Sequence, residues 1–148
     1  MAQKQDGTAK VFAEIEQALG QVPDWFRKMP EPAMSAFWGM MRDFQLAETK
    51  IPSKYKELIG IAVSGATRCR YCALFHTEAA RMAGATDEEI SEASAMAGLT
   101  MYGSTYLNAM QTDYDQFARE TREIVEFVKR QQAQQGKAPQ AAKGARVS

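Results

Sequence analysis

Cys69, Cys72 and His76 lie in one short run, Thr67-Arg-Cys-Arg-Tyr-Cys-Ala-Leu-Phe-His76, and they are all the cysteine and histidine the chain has. On an α-helix, steps of three and four residues put both sulfurs and the imidazole on a stripe about 60° wide. A thiol is inert at neutral pH until it becomes a thiolate, which a helix N-terminus or a nearby base promotes. Both aids are predicted here. Cys69 falls in the first turn of a helix, where free backbone N–H groups favour an anion, and Cys72 lies four residues before His76, within reach of its ring. His76 can take a proton from Cys72.

Glu57 stands twelve residues before Cys69, in the preceding helical segment. It shares a stripe with Ser53, Lys54 and Ser64, the pattern of a solvated carboxylate, yet Leu58, Ile59, Ile61 and Val63 surround it in sequence and would partly bury it. If the two helices pack antiparallel across Gly65-Ala66, Glu57 can hydrogen-bond His76 and orient the ring. The result is a Glu, His, Cys relay of the triad type. Zinc is the rival, because two Cys, one His and one Glu complete a four-ligand set. Structural zinc sites usually join ligand pairs from separate segments, whereas three of these candidates share one helix. Redox chemistry and zinc both stay open on the residues alone.

The elements that must position this group are predicted to be helical throughout, so the fold class is all-α. Thr8 is placed to cap a first helix with Val11, Phe12, Ile15 and Leu19 on one face, ended by Gly20. Pro23, Pro30 and Pro32 then cut the chain into short pieces. A helix from about Pro32 to Leu46 carries Met34, Phe37, Trp38, Met40, Met41 and Phe44 over most of its circumference and needs cover on several sides. Ala47 to Pro52 reads as a loop. Ser53 caps the helix that bears Glu57, which runs to about Gly65. Thr67 or a near neighbour starts the cysteine helix, which stops at Gly84. Thr86-Asp-Glu-Glu89 is a capping box for a helix running toward Gly98. Two more segments follow, one with Met101, Tyr102, Tyr106, Leu107 and Met110, the other with Tyr114, Phe117, Ile124, Val125 and Phe127.

The 148 residues suit one domain, expected over 1–130, with a disordered tail over 131–148 rich in Gln, Ala, Lys and Gly. Eighteen basic and eighteen acidic residues balance, which argues against nucleic acid and anionic membranes as partners. No apolar run approaches a membrane span and the N-terminus has no signal-like apolar core, so the expected location is the cytoplasm. The nine methionines read as pliable core filler rather than a cofactor box.

Glu57, then Cys69-Arg-Tyr-Cys72, then His76, followed by Ala79-Ala80 and Gly84-Ala-Thr-Asp-Glu-Glu-Ile90, resembles the AhpD-like alkylhydroperoxidase branch of the carboxymuconolactone decarboxylase superfamily, over roughly Phe37 to Met110. The resemblance implies a helical subunit assembled as a homotrimer or a homohexamer. It also implies a dithiol that cycles to a disulfide while reducing hydroperoxides, with no metal, flavin or haem cofactor. Carried over by position, Cys72 is the peroxide-attacking thiolate, Cys69 the resolving thiol, and His76 with Glu57 the proton relay. An external dithiol, thioredoxin-like or lipoyl, would reset the pair. The best-known members have histidine where this chain has Tyr71, which does not titrate near neutrality, so a proton step assigned to that histidine is put in question. The decarboxylase branch lacks the cysteine pair, which argues against lactone decarboxylation. From a different functional class, the alternative is a redox-sensing or zinc-stabilised interaction protein that turns nothing over.

Overall fold

The computed structural model describes residues 2–135, and all regular elements among them are helical: α1 (Ala2–Leu19), α2 (Asp24–Arg27), α3 (Glu31–Met40), a π-helical turn (Met41–Gln45), α4 (Ser53–Thr67), α5 (Arg70–Met82), α6 (Asp87–Ala109) and α7 (Tyr114–Gln135). The chain divides into two compact units, one up to Met101 and one from Tyr102. The predicted tail over 131–148 begins as helix through Gln135, and its remainder lies outside the described residues.

In the first unit, Ile15, Val22, Phe26, Met34, Trp38 and Met41 form one buried core. The crowded helix is covered there on one side only: Met34, Trp38 and Met41 are buried, while Phe37, Met40 and Phe44 are exposed. Trp38 keeps its indole N–H satisfied by donating to Glu14 Oε2 at 3.2 Å, and Arg42 pairs with the same oxygen at 2.6 Å. A second buried cluster of Ile61, Ala80 and Ala85, with Leu58 and Ile90 against it, fastens α4 to α5.

The helix boundaries separate predictions made from strong stops from those made from single polar residues. Gly20 and Gly84 end α1 and α5 with φ of +77° and +82°, conformations that glycine adopts without steric cost. The capping box is reciprocal: Glu89 N–H donates to Thr86 Oγ1 at 3.2 Å and Thr86 N–H to Glu89 Oε2 at 2.9 Å. Two expected caps, those of Thr8 and Ser53, are corrected. The first helix starts at Ala2, so Thr8 lies inside it. Pro52, not Ser53, precedes α4, since proline already holds the φ a helix entry needs, and the Ser53 hydroxyl instead donates to Glu48 at 2.7 Å. Thr67 ends α4 and Cys69 takes the cap of α5. Nor does Gly98 stop α6, which runs unbroken to Ala109; a single glycine costs a helix about 1 kcal/mol, too little to break one with no proline in it.

The second unit holds the end of α6, where Tyr102 and Tyr106 stack at 6.5 Å between ring centroids, and the amphipathic α7, whose Phe117, Ile124, Val125, Phe127 and Val128 are exposed. Among the described residues no helix is long and apolar enough to cross a membrane.

Candidate active site

The site begins at the turn between α4 and α5. Arg68 adopts the left-handed conformation, φ 57°, and Cys69 N–H donates back to Ser64 O at 2.9 Å while Arg68 N–H reaches Gly65 O at 3.2 Å. This closes α4 in a Schellman-type turn and sets Cys69 as the N-cap of α5. The Cys69 sulfur accepts the backbone N–H of Cys72 at 3.3 Å. Cys69 therefore sits just outside the helix rather than in its first turn, but it receives the N-terminal field that the sequence predicts.

Cys69 and Cys72 are joined by a disulfide, with Cα atoms 5.4 Å apart. Cys69 is half-buried and Cys72 exposed. The cause is the turn itself, which folds Cys69 back toward the end of α4. Cys72 instead opens onto a cavity of about 540 Å³ lined by Trp25, Phe37, Met41, Gln45, Tyr71, Cys72, Phe75 and His76. Trp25, Phe37, Met41 and Phe75 make its apolar wall, and Gln45, Tyr71 and His76 bring polar groups to it. Tyr71 is 74% exposed and takes a hydrogen bond from Arg70 Nη2 at 3.1 Å.

Glu57 is 3% exposed: the stripe it shares with Ser64 is buried beside Ile61, while Ile59 and Val63 are exposed. Its Oε2 lies 2.6 Å from His76 Nδ1. An ionised carboxylate only accepts, so the pair places the ring proton on Nδ1 and leaves Nε2 as the acceptor. Cys72 is one helical turn from that ring and lines the same cavity. All four sequence-predicted residues are thus brought together.

Two residues that spacing does not mark also touch the pair. Gln45 Nε2 donates to Glu57 Oε1 at 3.3 Å. Gly60, one turn after Glu57, faces the imidazole so closely that a Cβ there would stand 2.6 Å from His76 Cε1 and nearer still to Nδ1. The Ser64 hydroxyl donates to Gly60 O at 2.6 Å. A glycine in the middle of α4, well before the one at its end, is the one clue the sequence offered. Gln45 gave none, because its position depends on a π-helical turn. Among the described residues no three Cys, His, Asp or Glu side chains are grouped to hold a metal.

The family model of the carboxymuconolactone decarboxylase family matches residues 32–112. An uncharacterized protein of the cox locus of Paracoccus denitrificans is 36% identical over 63 residues, 43% of this chain and 57% of that protein. An uncharacterized protein of Cupriavidus necator is 39% identical over 64 residues, 43% of this chain and 56% of that one. The matched stretch thus spans about half the length of these curated relatives. The crystal structure of the alkylhydroperoxidase AhpD core from Rhodospirillum rubrum superposes with a TM-score of 0.66 at 29% identity, covering 75% of this chain and 85% of that one. With more than half of its length matched, and with the all-helical AhpD-like fold around the cysteine pair, this chain belongs to the carboxymuconolactone decarboxylase family.

Proposed function

We propose that this protein is a thiol-dependent peroxidase that reduces hydroperoxides with its Cys69–Cys72 pair and is reset by an external dithiol. The observation that carries the reading is the pairing of buried Glu57 with half-buried His76 one helical turn from Cys72, at the cavity onto which that cysteine opens. The solved alkylhydroperoxidase core with the same fold supports it.

In the reduced protein, the Cys72 thiol gives its proton to His76 Nε2, and the thiolate attacks the terminal oxygen of the hydroperoxide. The O–O bond breaks, the alcohol leaves with a proton returned by His76, and Cys72 becomes a sulfenic acid. Cys69 then attacks the Cys72 sulfur, water leaves, and the disulfide forms. Two electrons have passed from the thiols to the peroxide. A partner dithiol, thioredoxin-like or lipoyl, reverses the last bond: its thiolate attacks the exposed Cys72 sulfur and Cys69 departs as a thiolate, stabilised by the Cys72 N–H that already points at it. Its second thiol releases Cys72. The dithiol supplies the electrons, and no metal, flavin or haem takes part in this scheme.

Many large apolar side chains of the subunit are exposed, among them Met40, Leu74, Met82 and Ile124. This supports self-association as a trimer or hexamer, and a cytoplasmic location fits a dithiol that must be kept reduced. The test is consumption of an organic hydroperoxide with a dithiol supplied in excess. Catalytic turnover is expected, and a single stoichiometric oxidation with no turnover would sink the reading.

A further inference from the structure

Glu57 has two oxygens and His76 uses only one. The other accepts from the Gln45 amide at 3.3 Å. Gln45 closes the π-helical turn, whose wider hydrogen bond from Leu46 N–H to Met41 O measures 2.8 Å. The turn inserts the equivalent of one extra residue into the α3 ladder, and such insertions concentrate at functional sites. Here it decides which side chain faces α4.

The placement is clamped by the residue next to Glu57. Lys56 Nζ donates to Phe44 O at 2.7 Å and to Ala47 O at 2.5 Å, the carbonyls on either side of Gln45. Two consecutive side chains of α4 therefore grip the segment around Gln45, Lys56 through the backbone carbonyls of Phe44 and Ala47 and Glu57 through the Gln45 amide. Gln45 also lines the cavity beside Cys72 and His76.

We infer that Gln45 is a positioning residue of the proton relay: it holds the second oxygen of Glu57 so that the first stays aligned on His76 Nδ1. Its importance for turnover rests on the peroxidase reading, but its action on Cys72 does not. Without the amide donor, a nearly buried carboxylate oxygen is left unpaired, and the carboxylate rotates or takes up a proton to escape that cost. Either response removes the acceptor that fixes the His76 ring.

The test measures alkylation of Cys72 by iodoacetamide as a function of pH, in the full-length protein carrying Cys69→Ser, with no peroxide present. Gln45→Met keeps the volume and removes the donor. It should slow alkylation at neutral pH roughly tenfold to a hundredfold, the usual loss when the partner that orients a functional side chain is removed, and should move the half-maximal rate to higher pH. In a Glu57→Gln background the same substitution should change nothing further. Gln45→Asn, which withdraws the amide by one methylene, should shift the profile in the same direction and guards against poor folding of the methionine variant. An unmoved profile, or an equal shift with and without Glu57, would overturn the inference even if melting temperature falls. If the profiles move as expected while no peroxide is consumed, the peroxidase reading fails and the positioning role stands.

Discussion

Cys69 and Cys72 differ in what surrounds their sulfurs, and that difference should separate their variants. Cys72 opens on the cavity beside His76, whereas Cys69 is held at the helix cap by a backbone N–H. Cys72→Ser is expected to abolish peroxide consumption and to leave no sulfenic acid. Cys69→Ser should react once and stall as a sulfenate that a dione probe traps on Cys72. A probe found on Cys69 instead would mean that the helix terminus outweighs the histidine. His76→Ala should slow thiolate formation by about 10²–10⁴, the range typical of a general base, with both cysteines intact. Gly60→Ala makes a sharper test of geometry, because it touches neither sulfur. The added methyl displaces the imidazole from Glu57, so rapid-quench alkylation of Cys72 should slow toward the His76→Ala level, with about 1–3 kcal/mol of stability lost to overpacking. Wild-type rates in Gly60→Ala would show that the ring's position is not what activates Cys72.

At the scale of elements, α4 and α5 bring Glu57 and His76 together, while α2, α3 and the π-helical turn set Trp25, Phe37 and Met41 in the cavity wall beside Phe75 of α5. A cavity of about 540 Å³ is far larger than hydrogen peroxide needs, since a molecule of that size occupies only a little more than the roughly 30 Å³ of a water. Trp25 and Phe37 meet edge to face with ring centroids 5.8 Å apart, a wall suited to a flat apolar group. Cumene hydroperoxide should therefore exceed hydrogen peroxide in kcat/KM. Trp25→Ala should narrow that ratio by roughly tenfold, and equal losses for both peroxides would show that Trp25 supports the fold rather than selects the substrate.

The entry to α6 allows an independent measurement of stability. Glu89 is held below its ordinary value of 4.5, first by the Lys54 ammonium and then by the Thr86 backbone N–H; Lys54 is held above its ordinary 10.5 by the Glu89 carboxylate. A lowered carboxylate stabilises the fold above its unfolded value and loses that contribution as pH falls through the folded one. A raised lysine contributes below its unfolded value and loses it as pH climbs through the folded one. The bridge should thus be intact between about pH 4.5 and 10.5, and Glu89→Gln should flatten the acid side of a plot of melting temperature against pH. An unchanged acid limb would place the acid sensitivity elsewhere.

For the whole molecule, the expected quantity is the number of copies. The first unit buries a modest core and leaves Met40, Leu74 and Met82 exposed, and the second leaves the apolar residues of α7 exposed. A chain of this size rarely carries that much apolar surface into water alone. Light scattering at micromolar concentration should give three or six subunits, and a monomer there would require another partner for these faces.

The sequence by itself determined the helical class, the strong stops at Gly20 and Gly84, the capping box at Thr86, and the four candidate residues that the fold brings together. These follow from local rules: periodicity, glycine's access to positive φ, reciprocal capping, and helical steps that put Cys72 and His76 one turn apart. What only the tertiary structure decided concerns contacts between segments distant in the chain. The packing of α4 on α5 buries Glu57 despite its polar stripe and brings it within 2.6 Å of a residue nineteen positions away. The turn at Arg68 leaves Cys72 the more exposed of the two cysteines, because a single left-handed residue redirects the chain in a way no side-chain pattern encodes. Gly60 and Gln45 acquire their meaning from what lies opposite them, an imidazole and a carboxylate delivered by other elements. Local sequence specifies the candidates for chemistry, and packing across the chain decides which atoms of those candidates meet.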